Sequence, residues 1–351
     1  MFPEPSGASF ETPFQTEWLL RMRAEGGIWT DAPSSSRASR AARTHPADES
    51  AMDLNALTEC LVSASCMVTQ VTSGFIIGML LFLVAVGLTL IFGVMKIVNF
   101  THGAFYMLGA YFAMTVFQFT NSYGLALLGA AVGACVIGVI VERFFMQRVY
   151  GGNVLMQLLV CYALVLILDD LVRIVWGPEF KAMGMPDAFR VPPLFIMGGV
   201  VPPFYLFLIA AALAMAIILG LAIARTRFGK TIRAAAHNPA MVSVLGINTG
   251  LLFTGVFALG CLLAGLAGGL AAPVRSLTPG MGFSILIESF IVTVIGGMGS
   301  ILGALVGAVL LGLIRTFGAL GFPLFTEALM YLAMAVVLIV KPSGLFGREA
   351  A

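Results

Sequence analysis

The chain has 351 residues, of which 60% are hydrophobic and 10% charged, with a formal net charge of +2 and a mean hydropathy of +1.01. A soluble domain carries about 25% charged residues, so a water-soluble globular fold is excluded: too few polar side chains exist to coat a surface. Residues 1–59 hold nine acids and five arginines, whereas the rest of the chain holds eight acids and fourteen bases, the bias expected where cytoplasmic loops collect Lys and Arg.

Residues 1–51 are rich in Ser, Pro, Ala and Arg and contain no apolar run of the kind found in a signal peptide. They read as a disordered extension or as a segment preceding the true start, with Met52 opening the functional protein. Residues 52–348 then form one transmembrane domain, predicted to be an all-α, polytopic helix bundle of eight to ten membrane segments, some discontinuous or re-entrant. From 60 to 95 there is no charged residue, and 74–95 alone is long enough to span a hydrocarbon core of about 30 Å. After Lys96 the chain is free of Lys, Arg, Asp and Glu as far as Val141, with Thr120–Gly124 offering a turn between two spans. A loop with Glu142, Arg143 and Arg148 leads to a span over 154–176, within which Asp169, Asp170 and Arg173 fall.

The proline-rich stretch 177–203 reads as a loop and 204–224 as a span. Residues 225–248 form the most polar internal loop, with Arg225, Arg227, Lys230 and Arg233 and no acid; this cluster marks the cytoplasmic side. Phe228–Thr231 ends like a phosphate-binding loop, but Ala224 stands where its first glycine belongs and no strand precedes it. Another span covers 250–270. Residues 283–313 would make a helix of about 46 Å, so the run Gly296-Gly-Met-Gly-Ser300 predicts a break into two shorter segments. The last span is 324–340. The C-terminus lies on the cytoplasmic side if 283–313 crosses twice or re-enters.

The five cysteines, Cys60, Cys66, Cys135, Cys161 and Cys261, show no C-x-x-C spacing and lie in apolar stretches, where they are expected to pack as small hydrophobes. His45, His102 and His237 are scattered, so no metal site is expected, and no cofactor bound by this chain. Asn99, Thr101 and His102 place polar groups where a second helix starts after the break at Lys96. Such groups line a cavity or cap and bond to neighbouring helices; both readings stand. Asp169 and Arg173, four apart, are expected to form a structural ion pair. Glu288 has no partner close in sequence, which makes it a functional candidate.

The run GLTLIFGVMKIVNFTHGAFYMLGAY over residues 87–111 resembles the signature of LivH-type permeases of bacterial branched-chain amino-acid importers. The resemblance continues through residues 166–178, 233–248, 295–312 and 342–347, in colinear order over about 55–348. Thr101 stands where Ala is commoner, and the first fifty residues have no counterpart. The resemblance implies a permease subunit in the inner membrane that works with a second permease subunit, two cytoplasmic ATPase subunits and a periplasmic substrate-binding protein. It implies that 225–248 is the cytoplasmic ATPase-coupling loop, with Arg233, Ala234, Ala236, Asn238, Gly246 and Asn248 its working residues, a helix pair stopped at Gly246. The translocation path is expected at Asn99, His102, Glu288 and Asp170. The alternatives are a urea or amide permease of the same superfamily, or a stand-alone secondary transporter or channel.

Overall fold

The computed structural model describes residues 54–347; Met52 and the extension before it lie outside the described residues. Helix α1 (Leu54–Val62) is joined at Ser63 to α2 (Ala64–Met95), and Lys96 closes α2 in left-handed geometry, its N–H reaching the Phe92 carbonyl. Then follow α3 (His102–Thr120), α4 (Tyr123–Phe144) and α5 (Val154–Trp176). A two-stranded antiparallel hairpin, β1 (Leu194–Ile196) with β2 (Gly199–Val201), interrupts the loop before α6 (Pro203–Arg225). Helices α7 (Arg227–His237) and α8 (Pro239–Val244) make the helix pair expected within 225–248, and α9 (Thr249–Ala271), α10 (Met281–Gly296), α11 (Ile301–Gly321) and α12 (Thr326–Val340) complete the bundle.

Helix α2 is the axis of the bundle. It is apolar on every side, as a helix must be when protein surrounds it, and 83% of its central window is buried, against 6% for α12 and 17% for α6. The neighbours of α2 approach through small residues. A Cβ on Gly78 would lie 2.8 Å from the Ala308 carbonyl oxygen of α11, and one on Gly87 would lie 2.9 Å from that of Gly260 on α9. Without a hydrophobic drive between helices in lipid, close backbone packing of this kind carries the association.

Six helical stretches among the described residues are long and apolar enough to cross a membrane: α2, α4 with the turn that follows it (Tyr123–Arg148), α6, α9, α11, and α12 with the helical turn before it (Pro323–Val340). The chain is a multi-pass membrane protein. The expected eight to ten segments are not reached on this criterion. Helix α3 opens on His102, α5 carries Asp169, Asp170 and Arg173, and α10, with 16 residues, measures about 24 Å, short of a hydrocarbon core. The predicted break in 283–313 falls at Gly297–Ser300, where Gly297 and Gly299 have φ of 96° and 91°. The chain therefore turns back, and α10 and α11 pack against each other with Gly296 on Gly303.

Two ends of the bundle can be told apart. At one, β2 packs on α2, with Gly199 against Ser65 and Val68, and Lys181 pairs with Leu277 in an isolated bridge. At the other lie Lys96, the α7–α8 pair and the start of α9. The C-terminal residues return to this second end, where the N–H groups of Leu345 and Phe346 donate to the carbonyls of Ile295 and Gly296. The same end is marked by Gly299, which packs against Gly93 near the end of α2. Cys60 and Cys66 correct the expectation of five apolar packing thiols: they are joined as a disulfide across the α1–α2 junction. The break at Ser63 brings two cysteines six residues apart to a Cα–Cα distance of 5.1 Å, within the range a disulfide needs.

Candidate functional site

The break between α2 and α3 runs through residues 96–101 as irregular and turn structure; Lys96 at its start is exposed, and the polar side chains that follow are enclosed. Asn99, Thr101 and His102 each have 0% exposure. The Asn99 side-chain oxygen accepts from the Thr101 N–H at 3.0 Å, and the His102 N–H donates to the Asn99 carbonyl. Thr101 donates its hydroxyl to the Cys161 carbonyl of α5. His102 Nε2 lies 3.0 Å from the Val84 carbonyl of α2, and since a carbonyl only accepts, that nitrogen carries the proton and Nδ1 keeps its lone pair. Nδ1 of His102 and Nδ2 of Asn99 have no hydrogen-bond partner. Both side chains thus tie the start of α3 to its surroundings while leaving one buried polar atom each unspent, an arrangement that costs free energy.

Glu288 finds its counterion across the α10–α11 turn: the Arg315 guanidinium donates to its Oε2. The carboxylate is therefore not the isolated charge that local sequence suggested. The pair is mostly shielded, with side-chain exposures of 13% for Glu288 and 30% for Arg315. The Arg275 guanidinium and the buried Tyr106 hydroxyl lie against each other nearby. The Asp169–Arg173 pair is a second correction. Arg173 bonds Asp170 at 3.3 Å, both well exposed, whereas Asp169 is turned towards Gly280 at the start of α10 with its Oδ1 buried and unpartnered. Residues three and four apart both lie within reach on a helix, and here Arg173 takes the exposed partner three residues before it. Asp170, expected on the path, is thus an exposed ion-pair partner.

Over residues 225–248 the helix starts and stops fall where the sequence suggests them. Thr226, Asn238 and Asn248 cap α7, α8 and α9 through their side-chain oxygens, and Gly246 has φ +81°, the left-handed geometry that ends a helix at low cost in glycine. Arg233 points back to the body, its guanidinium donating to the Ile223 and Ala224 carbonyls at the end of α6, where a cation suits the helix dipole. Ala234 is exposed and Ala236 half-buried. Met241, Val244 and Leu245 stand out at 58%, 82% and 73% exposure.

One polar cluster was not foreseen. Glu142 near the end of α4 has 0% exposure and no cation beside it. Thr254 of α9 donates to it at 2.8 Å, Tyr150 at 3.1 Å and Gln147 to both oxygens at 3.1 Å. Burial first, and then the neighbouring Glu142 carboxylate, push the Tyr150 phenol up, which keeps it a donor. Residues 142, 147 and 150 are close in the chain, but the loop reading hid them as solvated; Thr254 could not be foreseen from 112 positions away.

Comparison with known proteins agrees with this architecture. The family described as "Branched-chain amino acid transport system / permease component" matches residues 70–340. The chain is 30% identical over 292 residues to the high-affinity branched-chain amino acid transport system permease protein BraD of Pseudomonas aeruginosa, covering 80% of this chain and 95% of that one. It is 27% identical over 297 residues to the corresponding protein LivH of Escherichia coli K12, with the same coverage. A probable branched-chain amino acid transport permease of Methanocaldococcus jannaschii matches at 27% over 293 residues, 77% of this chain and 89% of that one. No solved structure matches. The chain belongs to the branched-chain amino acid permease family.

Proposed function

We propose that this protein is the permease subunit of an ATP-driven importer that carries branched-chain amino acids across the bacterial inner membrane. It works with a second permease subunit, two cytoplasmic ATPase subunits and a periplasmic substrate-binding protein. The observation that carries the reading is the α7–α8 pair: a basic loop that displays Met241, Val244 and Leu245 as an exposed apolar surface. Exposed apolar side chains grouped in this way and rimmed by polar ones mark a protein docking face. Family membership and the relatives' names supply the substrate class.

Loop 225–248 and the C-terminus then face the cytoplasm together, because α10 and α11 form a returning pair. The Cys60–Cys66 disulfide falls at the opposite end, in the oxidising periplasm where disulfides persist. The path follows the start of α3 and the Glu288–Arg315 pair. Asn99 and His102 are sealed in this conformation, and tilting of α3 against α2 and α10 during the ATP cycle opens them to the cargo. Asp170 stands at the periplasmic mouth.

The test is reconstitution of the full importer in vesicles. Val244→Asp combined with Leu245→Asp is expected to abolish co-purification of the ATPase subunits and uptake, while the permease still inserts; retained assembly overturns the docking face. Cysteines at 99, 102 and 288, probed with and without trapped nucleotide, test the path. Protection from aqueous reagents in every state would make these side chains packing residues.

A further inference from the structure

A cavity of about 590 Å³ lies between the coupling helices and the bundle, within the size range of small-molecule sites. Its walls come from the end of α2, the loop before α5, both helices of the coupling pair and the start of α9. Lys96 and His237 are the ionisable bases in the wall, and no Asp or Glu lines it. Among the described residues Lys96 forms no ion pair and no side-chain hydrogen bond; its backbone is held in left-handed geometry at φ 56°, a conformation unusual for a residue with a Cβ. The wall around Lys96 is mostly apolar, with Val94, Ile97 and Phe253 beside the polar Tyr150, Gln157 and Thr249, and Ser243 of α8 also lines it.

A free ammonium group in a cavity without acids selects an anion, and the apolar walls select one with a hydrocarbon body. We propose that this cavity binds a small apolar carboxylate from the cytoplasm, an α-amino acid or its 2-oxo acid, as a product-sensing site distinct from the path. The carboxylate sits on Lys96, the hydrocarbon on Val94, Ile97 and Phe253. An occupant bridges the end of α2 to α7 and α8, so it holds the coupling pair against the bundle and slows the ATP-driven cycle when cytoplasmic product is abundant. The sensing role rests on the importer reading; the binding does not.

Binding is tested on the full-length chain in phosphatidylcholine nanodiscs, with Ser243→Cys as a thiol reporter over the wild-type cysteine background. L-leucine and 4-methyl-2-oxopentanoate are expected to slow labelling at position 243 saturably, and inorganic phosphate to leave it unchanged. Adding Lys96→Met should weaken that protection roughly tenfold or more, whereas Lys96→Arg should retain most of it; a tenfold loss corresponds to about 1.4 kcal/mol. Absence of protection, protection unchanged in Lys96→Met, or protection that appears only when phosphatidylglycerol is included would each overturn the site, the last assigning it to a lipid headgroup. In the assembled importer, leucine on the cytoplasmic face should lower binding-protein-stimulated ATP hydrolysis in the wild type and not in Lys96→Met. An importer that carries leucine without protection at 243 would leave the transport reading standing and remove the sensor. Protection in a complex that carries no branched-chain amino acid would leave the binding site standing and remove the transport reading together with the sensing role.

Discussion

The two polar interruptions of this chain, at residues 96–102 and at 225–248, are built in opposite ways. Beyond the exposed Lys96, the first buries its polar side chains: Asn99, Thr101 and His102 have no exposure. They bond the Thr101 N–H and the carbonyls of Cys161 on α5 and Val84 on α2, while Asn99 Nδ2 and His102 Nδ1 stay unpartnered. The second is largely exposed, and its polar side chains cap their own helices within a few residues. Polar groups in water cost little, so the segment 225–248 is stable by local rules. Polar groups at membrane depth must find partners in the tertiary structure, so the break depends on its neighbours. The difference predicts which substitutions are felt by the whole fold and which only by its coupling to partners.

The largest effect is expected where the buried break is crowded. A Cβ on Gly103 would lie 2.0 Å from the Gly282 carbonyl oxygen, and rigid backbone faces it. Gly103→Val should therefore cost at least about 3 kcal/mol, the upper part of the overpacking range, and yield little monodisperse protein in detergent. Normal yield and thermal stability would show that α3 and α10 separate easily.

Glu142→Ala comes next. It strips the acceptor from Thr254, Tyr150 and Gln147 at once and should cost about 2–3 kcal/mol, since buried donors without partners bear their desolvation. Glu142→Gln, which keeps one acceptor oxygen, should cost about half of that, read as the shift in thermal unfolding. Equal losses would mean that volume and not hydrogen bonding holds the α4–α9 contact.

Gly246→Val belongs to the exposed region, where nothing lies within 4 Å of a new Cβ. Only the left-handed backbone penalty applies, about 1–2 kcal/mol, and it should bend the α8–α9 connection without unfolding the bundle. The expected readout is a fall in uptake per ATP hydrolysed at unchanged insertion; an unchanged ratio removes Gly246 from coupling. The smallest effect is expected for Asp170→Asn, because its pair with Arg173 is exposed on both sides and such pairs contribute at most about 1 kcal/mol. A loss of more than that in thermal stability would show that the pair is covered in the assembled importer.

Where an element obeyed a local rule, it was legible. The span predicted over 204–224 is found as Pro203–Arg225, the stop at Gly246 has its left-handed φ, and the glycine run at 296–300 turns the chain back. The long apolar stretches, their breaks and the helix caps are properties of ten or twenty consecutive residues, and water or lipid acts on them before any tertiary contact forms. The sequence by itself therefore determined a multi-pass helical membrane protein, the helix pair within 225–248 and its family. Only the tertiary structure decided the partners of its charges and thiols. Glu288 took Arg315 from another helix, Arg173 took Asp170 over Asp169, Cys60 took Cys66 across the Ser63 break, and Glu142 gathered Thr254 from α9. A charge or thiol in a low-dielectric bundle binds whichever complementary group the helix orientations bring within about 3 Å, and orientation is set by close packing summed over the whole bundle.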